Sequence, residues 1–429
     1  MARTYLRIPR VLRCWPKASA GKACNAGAAA PGRNPSGRGG FASLLCRSSL
    51  IGNNPTTLLA SPAASLNSAP KFSTVAAARD SKTGSKLIRV LLCFLALSAG
   101  AAHAAQYHWR FALEEIKGSV QDHYAQQFKK LIERRTHGKV QVTIYPYGAL
   151  GTSSDLTEQV QNGILQFAFA SPGHLGSVVP ESQIFSLHFL FPKNEDAIEK
   201  ILSSSPALYN ELGKAYLDKQ LKLLAIIPEG WMVWTSNKPL RTPADFKGFK
   251  IRTMVSPLVL ADYRAYGANP TPMAYSDVYS GLQLHMIDGE VNPVFAIEEM
   301  GFYEVQKYMT FAYHLPFVTT LVTNPQFFDG LPKNLQQTVL DVKKQLDGYI
   351  FKVQKRLNKK RLKIIQKKSD IKTLYLTDAE RAAFRKDALP VRKQYVKLAG
   401  PRGKKILNTL EQEIAAATGK SDEKQTGAQ

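Results

Sequence analysis

The chain has 429 residues, room for two lobes and extra segments, and its 57 Lys and Arg against 33 Asp and Glu give a formal charge of +24. That excess invites a nucleic-acid reading, but +13 of it falls before residue 105, and the +11 left is modest for a body of about 325 residues. All four cysteines, Cys14, Cys24, Cys46 and Cys93, also precede residue 105, which excludes disulfides, thiolate zinc sites and a cysteine nucleophile from the body.

Residues 1–85 are rich in Ala, Gly, Ser and Arg, lack an acidic residue until Asp80, and hold no sustained apolar periodicity. An organellar transit peptide has this composition. The alternative, which is favoured, is a non-native or untranslated extension upstream of a start near Val75. It is favoured because residues 86–104 have the anatomy of a signal peptide. Lys86-Leu-Ile-Arg89 is basic, Val90 to Leu97 is apolar, and Ala102-His-Ala104 is a small-x-small cleavage site. The apolar core is far shorter than the roughly 20 residues of a spanning helix. Cys93 lies inside it rather than after it, which argues against a lipid anchor. Export to the periplasm, with cleavage after Ala104, is the expectation.

In the body, Tyr107 to Leu113 reads as a first strand. Val120, Tyr124, Phe128, Leu131 and Ile132 then recur at helical spacing up to Gly138. Val140 to Tyr145 alternates as a second strand, 146–151 is a turn, and 152–162 is a helix opened by Ser, Thr and Asp caps. Gln166 to Ala170 is a third strand. This order implies a parallel sheet covered by helices, with ligands at the carboxyl ends of its strands. Lys222 to Ile227 is another buried strand, followed by Glu229 to Ser236, and a second α/β segment runs from 240 to 315. Pro316 to Thr323 returns as a strand. From Leu335 to Ile364 apolar residues lie three, four or seven apart, which predicts one helix of about 30 residues, about 45 Å long.

Three motifs carry chemistry. Lys250-Ile-Arg-Thr-Met254 is a short strand whose alternation sets Arg252 opposite Ile251 and Thr253. Asn269 to Tyr275 and Asp288-Gly-Glu-Val-Asn-Pro293 follow it. A guanidinium offers a planar fork of donors that suits a carboxylate. Together with the Tyr145 to Gly151 turn and Val160-Gln-Asn-Gly163, these motifs resemble the extracytoplasmic solute receptors of tripartite ATP-independent periplasmic (TRAP) transporters, the C4-dicarboxylate-binding type. The resemblance covers roughly residues 106–415.

It implies an α/β fold of the two-lobed periplasmic binding protein type, with hinge strands and a long spanning helix. Lobe I would be 106–230 with 318–357, lobe II 231–317 with 358–415, and 416–429 a disordered tail. It also implies a receptor, not an enzyme, that captures an organic carboxylate, needs no cofactor or metal, binds no nucleic acid, works as a monomer and delivers to a TRAP membrane permease. Arg252 would clamp the carboxylate, Asn292 would hydrogen-bond the ligand or position the arginine, and Tyr275 would pack beside them. Glu114, Glu115, Ser171 and Tyr147 would face the cleft from loops of the first lobe. One position departs: some members place a second arginine 20 residues before the first, where this chain has Met232 between Trp231 and Trp234. That favours one carboxylate clamp with sulfur and indole surface beside it, and a monocarboxylate over a small dicarboxylate.

Nine basic residues between Lys352 and Lys368 continue above the apolar stripe of the long helix and read as a solvated face, not a nucleic-acid surface. The rival reading is an exported or organelle-targeted α/β enzyme acting on a small organic acid. Asp288 and Glu290 would be its paired carboxylates and His174 its lone cleft-facing histidine. No nucleophile elbow, zinc helix, phosphate loop or dinucleotide loop accompanies them.

Overall fold

The computed structural model describes residues 105–419. The extension, the signal peptide and its cleavage site, and residues 420–429 of the expected tail lie outside the described residues.

The first four elements alternate as expected: β1 (Tyr107–Ala112), α1 (Val120–Arg135), β2 (Val140–Tyr145) and α2 (Ser153–Gln161), followed by β3 (Phe167–Ala170). Ser119 caps α1 by accepting from the Asp122 amide at 3.1 Å, and Arg134 and Arg135 sit in the last turn, where cations suit the helix dipole. The buried stripe of α1, Tyr124, Phe128, Leu131 and Ile132, packs on Phe111, Phe167 and Phe169 of the sheet.

After α3 (Glu195–Ser204) comes β4 (Lys222–Ser236), and the second lobe follows with β5 (Lys250–Thr253), α4 (Pro257–Ala265), β6 (Asn269–Pro272), β7 (Gly289–Pro293), α5 (Val294–Glu299) and β8 (Tyr308–Phe311). The chain returns through β9 (Pro316–Thr323) and α6 (Lys333–Lys368), then completes β10 (Lys372–Tyr375), α7 (Asp378–Ala388) and α8 (Val391–Thr418). The sheet runs β2–β1–β3–β9–β4–β7–β5–β6, with β8 and β10 branching from β4.

Four expectations need correction. The sheet is mixed: β1 pairs parallel with β2 and β3, but β9 runs antiparallel to both β3 and β4. The two segments around Pro228 are one 15-residue strand, β4, whose first part pairs with β9 and whose last part pairs with β7 and β8. Register shifts at Leu223/Ala225 and Pro228/Gly230 absorb the proline and glycine that look like breakers in the sequence. The long helix, α6, has 36 residues rather than about 30. Finally, α8 does not stay with lobe II. Tyr395, Ile406, Leu407 and Leu410 join the first lobe's core, the Tyr395 hydroxyl donates to the Glu181 carbonyl at 3.1 Å, and the helix runs on to Thr418, into the stretch assigned to the tail.

Candidate ligand-binding site

Both lobes contribute to one cavity where β4, β9 and α6 pass between them. Arg252 comes from β5, which is paired with β6 on one side and β7 on the other, so Ile251, Arg252 and Thr253 are all buried. Arg252 is only 2 % exposed. Its Nε and Nη2 both donate to the Met273 carbonyl, at 3.1 and 2.9 Å. Glu290, the carboxyl whose field acts most on it, accepts instead from Asn292 Nδ2 at 2.6 Å and Thr235 Oγ1 at 2.8 Å. Among the described residues the guanidinium is therefore buried without an ion pair. The Tyr275 ring centre lies 6.0 Å from its central carbon, and Tyr147 meets Tyr275 edge-on at 5.8 Å.

Arg252, Tyr275 and Asn292 line this cavity with Glu114, Glu115, Ser171 and His174 of the first lobe. The cavity's free volume is only about 40 Å³, so the cleft is nearly shut. A wider hollow beside Lys238, Lys247 and Lys307 is open to solvent and holds no buried charge.

The first-lobe wall is acidic. Glu114 Oε2 accepts from the Ser171 amide at 2.7 Å, while its Oε1 is buried without a partner. Burial pushes the Glu114 carboxyl up to about 7. Behind it, Gln121 donates from Nε2 to Glu229 Oε1 at 3.1 Å and from its backbone to Glu115 Oε2 at 3.5 Å. Burial raises both Glu115 and Glu229, and the field of Glu229 raises Glu115 further. Glu299, from α5, is pushed up to about 8 by burial and then by the Glu115 charge. His174 is held neutral, down at about 4, by burial and the Arg252 charge.

Seven of the nine residues singled out in the sequence thus meet: six line the cavity with Arg252 or are Arg252 itself, and Tyr147 braces Tyr275. Met232 stands next door, lining a small apolar cavity that shares Met254 and Phe317 with the first. Trp231 lines neither cavity; its ring meets Tyr313 edge-on at 5.5 Å. Trp234 is a core residue of the second lobe, with Nε1 donating to the Tyr263 hydroxyl at 3.1 Å. Asp288 and Glu290 are not paired: Asp288 accepts from the Lys250 amide at 2.8 Å on the exposed edge. Sequence reasoning missed Glu229, Gln121 and Met254. Only Met254 carried a signal, lying two residues beyond Arg252 on the same strand face. Of the basic stretch on α6, Arg361 pairs with Glu298 and Glu299, and Lys355 with Glu195.

Residues 111–398 match the family described as bacterial extracellular solute-binding protein, family 7. The chain belongs to this family. It is similar to the ectoine-binding periplasmic protein TeaA of Halomonas elongata, 39 % identical over 329 residues that make up 76 % of this chain and 96 % of that one. A TRAP periplasmic solute-binding protein from Marinobacter aquaeolei VT8, solved as an apo open structure, shares 44 % identity with a TM-score of 0.68 over 71 % of this chain and 99 % of that one. Another from Desulfovibrio salexigens, solved with bound orotic acid, shares 28 % identity with a TM-score of 0.69 over 72 % and 99 %. The chain is a periplasmic solute receptor of the TRAP type, the partner of a TRAP permease, and the family is one of receptors rather than enzymes.

Proposed function

We propose that this receptor captures a small organic carboxylate at Arg252, between its two lobes, and hands it unaltered to the permease. The observation that carries the reading is a fully buried guanidinium with no ion pair among the described residues. An uncompensated buried charge is costly, and a bidentate carboxylate relieves that cost while fixing the ligand's orientation. Asn292, tied to Glu290, holds the far side of the clamp, and Tyr275, braced by Tyr147, covers it. Small carboxylates recur among the relatives: orotic acid and succinate are bound in two of the solved structures, and ectoine is named for TeaA.

The test is a thermal-shift screen of the exported chain, starting at Ala105, against these acids and β-D-galacturonate. A stabilising acid is expected. Arg252→Ala removes its shift while the circular dichroism of the unliganded protein is retained; a shift that survives Arg252→Ala overturns the clamp. Mass spectrometry of the mature N-terminus checks cleavage after Ala104, and NMR of the bound acid after prolonged incubation checks that it is released unchanged.

A further inference from the structure

We propose that the outer face of α6 docks on a bilayer carrying anionic phospholipid, and so holds the receptor at the membrane in which its permease sits. Between Lys352 and Lys368 the helix has nine basic residues and no acidic one. Their neighbours sort them into three groups. On one flank Lys355 pairs with Glu195 of α3, and on the other Arg361 and Lys368 pair with Glu298 and Glu299 of α5. The six between, Lys352, Arg356, Lys359, Lys360, Lys363 and Lys367, are exposed and have no ion pair among the described residues. Steps of three and four residues keep them within about 100° of the helix circumference and along about 22 Å of its axis. Six uncompensated cations therefore form one stripe, directed away from the apolar residues that seat α6 on the body.

The make-up of the stripe decides between a protein face and a lipid surface. Contacts between proteins concentrate aromatic and arginine anchors and are depleted in lysine. Here five of the six cations are lysines, and none of the exposed large apolar side chains lies on this stretch of α6. Nothing on the stripe fills a pocket in a protein partner, and nothing on it inserts among acyl chains. A lysine ammonium is a point charge on a flexible stem, suited to headgroups that diffuse rather than to a fixed fork of acceptors. Near an anionic leaflet the attractions of successive lysines add, and they fade within a Debye length. A periplasmic receptor shares its compartment with such a surface, because its permease is embedded in one. Docked through α6, it searches for that permease in two dimensions and is released again by salt.

The test uses the exported chain, starting at Ala105, and vesicles of phosphatidylglycerol with phosphatidylcholine, against phosphatidylcholine alone. Co-sedimentation is expected with the anionic vesicles only, and raising salt from about 0.05 M to about 0.5 M should weaken it about tenfold or more. Changing Arg356, Lys359, Lys363 and Lys367 together to Gln is expected to weaken binding about tenfold or more at low salt. The comparison variant loses the same charge from the exposed Arg385, Lys386, Lys393 and Lys397 of α7 and α8, and is expected to bind within about twofold of the unchanged chain. Circular dichroism checks that both variants fold, and the salt series on the unchanged chain needs neither. Equal binding to phosphatidylcholine alone, or binding indifferent to salt, overturns the proposal. So does an equal loss in the two variants, which makes the attraction one of net charge. Vesicle binding that survives in the α6 variant while permease-dependent uptake is lost assigns the stripe to a protein face, and the lipid surface falls.

Discussion

Arg252 sits where strand pairing on both sides leaves its side chain nowhere to go but the cleft. Around it the titratable groups are held away from their ordinary values in opposite senses. Glu114 and Glu290 are pushed up to about 7 and Glu299 to about 8, each chiefly by burial. Their folded values lie above the unfolded ones, so the stability they contribute is present at acid pH and is lost as pH rises through about 7 to 8. His174 and His188 go the other way, to about 4 and about 3, so the unfolded chain takes up protons first as pH falls below 6.5. The carboxyl groups outnumber the histidines. Unliganded receptor is therefore expected to be most stable near ~pH 5 and to lose stability toward pH 8. Urea midpoints at pH 5, 6.5 and 8 check this, and Glu229→Gln should flatten the decline between pH 5 and about 7. A midpoint that climbs from pH 5 to pH 8 contradicts the assignment.

At the scale of elements, β4 and α6 carry the join between the lobes. Asn358 on α6 donates to the Glu229 carbonyl at 2.8 Å and accepts from the Phe295 amide of α5 at 3.1 Å, beside Gly230, whose φ of +125° suits only glycine. Asn358→Ala removes both bonds, at about 1 kcal/mol each, and is expected to weaken ligand binding several-fold by loosening the closed form. Titration calorimetry with the screened acid reads this, and unchanged affinity would assign the residue to packing alone. On β7, a Cβ at Gly289 would lie 2.2 Å from the Thr235 carbonyl oxygen, so Gly289→Ala forces β4 and β7 apart. A loss of about 2 kcal/mol in urea unfolding is expected, within the usual range for overpacking. Such positions explain what was legible in the chain and what was not. β1 to β3 and α6 announce themselves by local periodicity, and Arg252, Tyr275 and Asn292 by motif. Pro228 and Gly230 disguised the continuity of β4, because a bulge tolerates what a regular strand does not. Glu229 was hidden with it: one acidic residue between a proline and a glycine gives no hint that it faces Gln121, which lies 108 residues earlier in the chain.

Over the whole molecule, one ten-stranded sheet serves both lobes, with β4 a member of each half. Separate melting of the lobes would require tearing a strand in two, so the body is expected to unfold in a single transition. Coincident urea curves from tryptophan fluorescence and far-ultraviolet dichroism are the check; Trp109 reports on the first lobe and Trp234 on the second. The placement of α8 was beyond local sequence signals, since an amphipathic helix shows that it has an apolar face but not which neighbour covers it.

The return of α8 to the first lobe has a geometric consequence. The first element of the described chain, β1, and the last, α8, both lie on that lobe, and the second lobe is an excursion whose every exit leads back. When the cleft opens, the excursion swings while the two ends stay put. A receptor immobilised or tagged through either end therefore keeps its full range of motion, and a pair of dyes on the two ends would stay silent through capture and release.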